Sequence, residues 1–220
     1  MGVHWTLVSS RLSGLASTLT NIGPHGSWRV RDVGDFLNKS VQELAGWLQS
    51  ENQLEASIGM AALNSLIEPD VDQLQDINAA DVLAGAAGGR NLVVVGHFPF
   101  IERLRGSTRN LWVIEKHPYG DEIPESAAES YIPLADMVAI TGTTIINHTI
   151  DGLMALCRPG VPVMMLGPST PLSPVLFDHG ITFVSGSRVI DESAARLTIQ
   201  QGAGFPQVNG VQVVTMVKPG

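Results

Sequence analysis

Residues 3–9 (Val-His-Trp-Thr-Leu-Val-Ser) alternate apolar and polar with period two, which predicts a strand with one solvated face. Ser10 and Arg11 turn the chain toward a second such segment, Leu12 to Thr18, and the two read as a hairpin. The period then changes. Ser40 is placed to cap a helix from Val41 to Leu48, with Glu43 in the capping-box position. A second helix, Leu54 to Leu66, puts Ile58, Ala61, Ala62 and Ser65 on one face, and its small residues allow a neighbour to come close. Between hairpin and helices, residues 21–35 read as a loop by their Gly, Pro and Asp content.

Beyond the acidic, Pro-containing segment Glu68 to Asp72 the pattern changes again. Asn78 or Asp76 caps a helix from Ala79 to about Ala87, closed by Gly88-Gly89. Leu92 to Val95 is wholly apolar and has no polar face, so it suits a strand buried on both sides of a parallel sheet. Leu111–Ile114, Met137–Ile140 and Val161–Leu166 repeat that pattern, with helical segments between them: a short one at Phe100–Arg105 and a long amphipathic one at Ile145–Leu156. Residues 117–133, with Pro118, Pro124 and Pro133, read as a loop with a short helix. Ser173-Pro174 opens another short helix ended by Gly180. Thr182–Val184, a helix Asp191–Gln200 and a strand Val211–Val217 complete the chain.

The fold class that follows is α/β, a mostly parallel Rossmann-like sheet over residues 71–220 behind a smaller α+β unit over residues 1–70. In such sheets, ligands bind outside the carboxyl ends of the strands. Here those ends are Gly96-His97-Phe98-Pro99, Glu115, Thr141-Gly142-Thr143-Thr144 and Gly167-Pro168-Ser169-Thr170.

Composition narrows the chemistry. The formal net charge of -8, with 13 scattered basic residues, argues against a nucleic-acid partner. No apolar run approaches the roughly twenty residues that span a bilayer, and no secretory signal pattern is present, so a cytoplasmic protein without a membrane partner is expected. Cys157 is the one cysteine, which excludes an intrachain disulfide and a thiolate metal cluster.

Gly96-His97-Phe98-Pro99 lies where a dinucleotide fingerprint would, but it is not G-x-G-x-x-G, and Pro99 lacks an amide that a pyrophosphate would use. Glu115 is placed either to accept a ribose hydroxyl or to sit in solvent. Thr141-Gly142-Thr143-Thr144, leading to Asn147, offers amides and hydroxyls at a helix start, suited to a polar or anionic ligand; simple capping is the competing reading. Ser169 and Thr170 are either ligand-facing hydroxyls or turn residues. A metal case would rest on His97, Glu115, His117 and His148, which come from different elements and form no local ligand pair. No P-loop or G-x-S-x-G elbow occurs.

Trp5-Thr6-Leu7-Val8, Gly14 to Thr18, Ile58 to Asn64, Gly96-His97-Phe98-Pro99, Thr141 to Asn147 and Gly167 to Leu172 together resemble the heavy-metal chelation domain family of prokaryotic proteins. The resemblance covers nearly the whole chain. It implies an N-terminal domain like that of enolase, a Rossmann-like domain after it, a site between the two, and a role in handling a small metal-chelating molecule. Members of that family usually carry a helix ahead of the first strand, and this chain starts almost on the strand. That implies an incomplete first unit, or one that borrows packing from a partner chain in a homo-oligomer.

The expected site is therefore a small-molecule cleft lined by Gly96, His97, Glu115, Thr141, Gly142, Thr143, Asn147, Ser169 and Thr170, with Asn64 reaching it from the helical unit. His97 and Glu115 are the acid/base pair if catalysis occurs. The cofactor is open between a metal ion and a metal-chelating molecule. Two alternatives stand beside it: a nucleotide-cofactor enzyme of the S-adenosylmethionine type, with Glu115 on the ribose, and a sensor or metallochaperone holding metal directly through His97 and His148.

Overall fold

A computed structural model describes residues 1–20 and 29–219 of the chain, so the first part of the loop expected over 21–35 lies outside the described residues. The period-two segments form β1 (Trp5–Ser9) and β2 (Ser13–Ser17), an antiparallel hairpin with Leu7 opposite Leu15. Helix α1 (Val41–Gly46) begins on Ser40 with the expected capping box, and α2 (Gln53–Leu66) follows after a 3-10 turn. The small residues explain how these pieces meet. A Cβ on Gly14 would lie 2.2 Å from the Ala61 carbonyl oxygen, and one on Gly59 would lie 2.1 Å from the Leu48 nitrogen. Backbone therefore rests on backbone at both contacts.

After Asn78 caps α3 (Ala79–Ala86), the chain builds one seven-stranded sheet. Its strands are β3 (Asn91–Val95), β4 (Asn110–Glu115), β5 (Ile123–Pro124), β6 (Met137–Thr141), β7 (Val163–Leu166), β8 (Phe183–Val189) and β9 (Val211–Val217). The order is β5-β4-β3-β6-β7-β8-β9, parallel except for β9, which runs antiparallel to β8. The apolar runs fold as they do because each face needs a core. Leu92 and Val94 pack on one side with Met137, Ala139 and Met164, while Val93 and Val95 pack on the other with Val138, Ile140 and Met165. The strand order reverses between β3 and β6, and the crevice there is where an open α/β sheet takes its ligand.

Around the sheet lie α4 (Ile101–Arg105), α5 (Ala128–Tyr131), α6 (Thr143–Ile146), α7 (Ile150–Leu156), α8 (Val175–Asp178) and α9 (Glu192–Gln200). The N-terminal unit shares its apolar surfaces with this layer. Leu15 packs with Ala195 and Ile199 of α9, and Ala16, Met60 and Ala61 pack with Ile146 of α6.

Three expectations are corrected. The single helix over 145–156 is two, because Asn147 Oδ1 accepts from the Thr149 amide and hydroxyl while His148 takes a left-handed φ of 59°. The loop over 117–133 contains β5, paired to the end of β4. The strand at 182–184 runs on to Val189, because β9 pairs along its whole length and the Thr215 hydroxyl binds Ser185.

Candidate functional site

The carboxyl ends of β3, β4, β6 and β7 open on a cavity of about 330 Å³. Gly96, His97, Glu115, Thr141, Thr143 and Ser169 line it, and the hairpin closes it with Trp5 and Ser17. Asn147 lines a smaller recess of about 70 Å³ that shares Gly96, Glu115, Thr141 and Thr143. Gly96 is needed for its backbone: φ is 107°, and an added Cβ would stand 3.0 Å from Thr141 Cβ. That turn sends His97 outward and Phe98 across the crevice.

His97 is 63% exposed, and its Nδ1 is hydrogen-bonded to Glu122, whose side chain is only 8% exposed. Glu122 also accepts the Tyr119 amide at 2.9 Å. That backbone N–H first, and then the His97 ring, hold the Glu122 carboxyl below the usual range for a glutamate. The expected partner, Glu115, does something else. Its two oxygens accept the backbone amides of His97 at 2.7 Å and Lys116 at 2.9 Å, which stitches the end of β4 to the end of β3. The dyad is therefore His97–Glu122, and Glu115 shapes the floor. A carboxylate committed to two amides is poorly placed for a ribose hydroxyl.

The helix start after β6 is also reinterpreted. Helix α6 is a single turn of four residues, so its dipole is slight. The Thr144 hydroxyl donates to the Thr141 carbonyl, and the Thr141 and Thr143 hydroxyls share a 3.0 Å hydrogen bond. Thr143 still faces the cavity, and the Asn147 side-chain NH₂ has no hydrogen-bond partner among the described residues. Among the described residues Lys116 is the one lysine or arginine on either wall, and it lies 3.9 Å from Glu125. The walls thus suit a polar neutral or cationic guest better than an anion.

Several expected residues are not brought to the cavity. Asn64 Nδ2 donates to the carbonyls of Leu15 and Ser169, tying α2 to the hairpin and to the loop after β7. Thr170 is buried directly under Gly142, where a Cβ would meet its hydroxyl oxygen at 2.6 Å. Ser169 reaches the wall, but its hydroxyl accepts the Ser17 amide and donates to Ser17 Oγ, so it serves the hairpin. His148 bonds the Ser50 carbonyl, and His117 is exposed; neither lines the cavity. Among the described residues no three His, Cys, Asp or Glu side chains come together to hold an ion, so direct ligation by His97 and His148 is not what this arrangement provides. Cys157 donates to the Leu153 carbonyl, and burial pushes its thiol up to about 11, as befits a core thiol.

Sequence reasoning did not find Glu122, Trp5, Ser17 or Phe205. Glu122 lies in a surface turn with other acidic residues nearby and carries no motif. Trp5 stacks at a tilt on Phe205, 5.3 Å between centroids, and its buried indole N–H has no acceptor among the described residues. Phe98, by contrast, belonged to a stretch already singled out. Phe98 and Phe100 stack at 5.3 Å and an interplanar angle of 15°.

Comparison with known proteins gives consistent neighbours. Residues 78–218 match the DUF364 family and residues 1–67 the DUF4213 family, both described as "putative heavy-metal chelation". A solved DUF364 protein of unknown function from Desulfitobacterium hafniense superposes with a TM-score of 0.83 at 28% identity, covering 99% of this chain and 90% of that one. Another DUF364 structure, from Pyrococcus horikoshii, shares the fold with a TM-score of 0.78 at 17% identity, covering 97% and 88%. An uncharacterised protein of Methanocaldococcus jannaschii is 26% identical over 171 residues, 74% of this chain. The chain spans 66% of that relative's length. No helix among the described residues is long and apolar enough to cross a membrane.

Proposed function

The chain belongs to the heavy-metal chelation family DUF364, and from that premise we propose that its cleft binds a small metal-chelating molecule, with the metal carried as cargo rather than as a resident cofactor. The observation that carries this reading is His97. One imidazole is presented at the mouth, backed by a carboxylate on its other nitrogen as metal-binding histidines usually are. Yet the described residues supply no second and third donor around it. A metal reaching this position must bring most of its ligands with it, which is what a chelate does.

In this reading the ligand enters between the N-terminal unit (residues 1–70) and the sheet (71–220). Its polar edge meets Thr141, Thr143 and the Asn147 amide, and its metal faces His97 Nε2. Any proton transfer would fall to His97 with Glu122 holding the ring, the role first assigned to Glu115. The preference for a cationic or neutral guest follows from a wall with Glu115 and a lysine already close to a carboxylate.

The test is native mass spectrometry with elemental analysis on untagged protein purified without added metal. A co-purifying organic molecule with its metal, absent from Thr143→Val and Asn147→Ala variants, is the expected result. Asn147→Ala also removes the acceptor for the Thr149 amide and hydroxyl, so urea unfolding of the variant separates loss of the ligand from loss of the fold. Stoichiometric metal with no organic partner would overturn the proposal.

A further inference from the structure

Resting on that chelate reading, we propose that the ligand is aromatic: a chelate whose planar ring lies against Phe98 while its metal-binding edge faces His97. A second cavity of about 380 Å³ adjoins the first, and Phe98, Pro99, Gly167, Pro168 and Phe205 line both. The two are therefore one groove with a chemical gradient. At one end are His97, Glu115, Thr141 and Thr143; at the other, Phe100, Leu166 and Val213 stand with the uncharged Asn78, Ser185 and Ser187, and no ionisable side chain is among the described lining residues there. Each cavity alone is near the lower limit of small-molecule sites, roughly 300–1,000 Å³, and the groove as a whole falls well inside it.

The middle of the groove decides the ligand class. Phe98 and Phe205 are only partly buried, although a soluble protein gains by covering such rings. They are held firmly all the same, Phe98 by its parallel stack on Phe100 and Phe205 by Trp5. Rigid flat walls lose little on ordering around a guest and favour a flat one, since offset stacking adds to simple area burial. An aliphatic chelator would fill the polar end and leave those walls wet.

The test uses two charge-matched probes, the one-to-one complexes of Cu(II) with 2,2′-bipyridine and with ethylenediamine. Each presents two nitrogen donors and leaves positions open for an imidazole. Isothermal titration of the full chain, with the His97→Gln variant as the blank for other histidines, gives the affinity at this site. The expected result is about tenfold tighter His97-dependent binding of the bipyridine complex. Phe98→Leu and Phe205→Leu should cut that preference to about threefold or less with the ethylenediamine affinity unchanged. His97-dependent binding of both complexes with equal affinity sinks the aromatic assignment and leaves the chelate reading standing. A preference that survives in both leucine variants, or in His97→Gln, also sinks it. If neither complex binds through His97, the chelate reading fails and this inference fails with it.

Discussion

Gly142→Ala tests whether the loop after β7 packs against the start of α6 as closely as the structure shows. Two effects oppose each other. The backbone at Gly142 is ordinary right-handed helical (φ -60°, ψ -16°), so alanine carries no conformational penalty there. Where alanine can adopt the native backbone, replacing glycine normally stabilises by about 0.4–1 kcal/mol, because the unfolded chain has less freedom to lose. Against this, the new methyl would sit 2.6 Å from Thr170 Oγ1, 2.7 Å from the Thr170 nitrogen and 2.9 Å from its Cα. Two of the three obstacles are backbone, and Thr170 is buried, so the loop itself must move. Overpacking of this kind costs about 1–3 kcal/mol. Clash outweighs that gain, and the variant should be about 1–2 kcal/mol less stable. For a chain of this size that lowers Tm by roughly 2–8 °C. Urea unfolding followed by circular dichroism, with the slope checked for constancy, measures it. Adding Thr170→Ala removes Oγ1 but leaves the two backbone obstacles in place, so less than half of the loss should return. A Gly142→Ala protein as stable as the parent, or more so, would refute the packing argument.

Other consequences are tested more briefly. Glu55 is 7% exposed and takes three hydrogen bonds from Arg31 and one from Ser50; burial alone would raise its pKa, but those bonds outweigh it and hold it low. Arg31→Met should therefore cost about 1–3 kcal/mol at neutral pH, toward the lower end because Arg31 is half exposed. A depressed carboxylate pKa stabilises above the usual glutamate range and stops doing so as pH falls through the folded-state value, so the gap between variant and parent should narrow in acid. A gap that widens in acid would contradict the assignment. Glu122→Gln should weaken Cu(II)–bipyridine binding by about 10–100-fold while leaving the urea midpoint nearly unchanged, as expected for a residue that positions His97. Equal affinity would show that the ring needs no such support. Cys157, with its thiol pushed up to about 11, should react with iodoacetamide at pH 8 far more slowly than free cysteine, and rapid labelling would show that the thiol is not held in the core.

Local rules in the sequence determined much of this protein. Leu92 to Val95 has no polar face, so it can only sit where both faces are covered, and it does. Ser40 with Glu43, Asn78 and Asp191 cap helices because the groups that satisfy each other lie within four residues. That Gly96, His97, Thr141 and Thr143 would line one cavity was legible because strand ends in a parallel sheet converge on one edge. What the sequence left open are choices among partners far apart in the chain. Whether His97 pairs with Glu115 or Glu122 depends on where a turn 25 residues away comes to rest. Ser169, 152 residues from Ser17, holds the hairpin in place of a ligand. Asn64 commits its amide to one strand carbonyl and one loop carbonyl for the same reason. A polar side chain takes whichever partner the packed elements bring within about 3 Å, and only the assembled tertiary structure sets that distance.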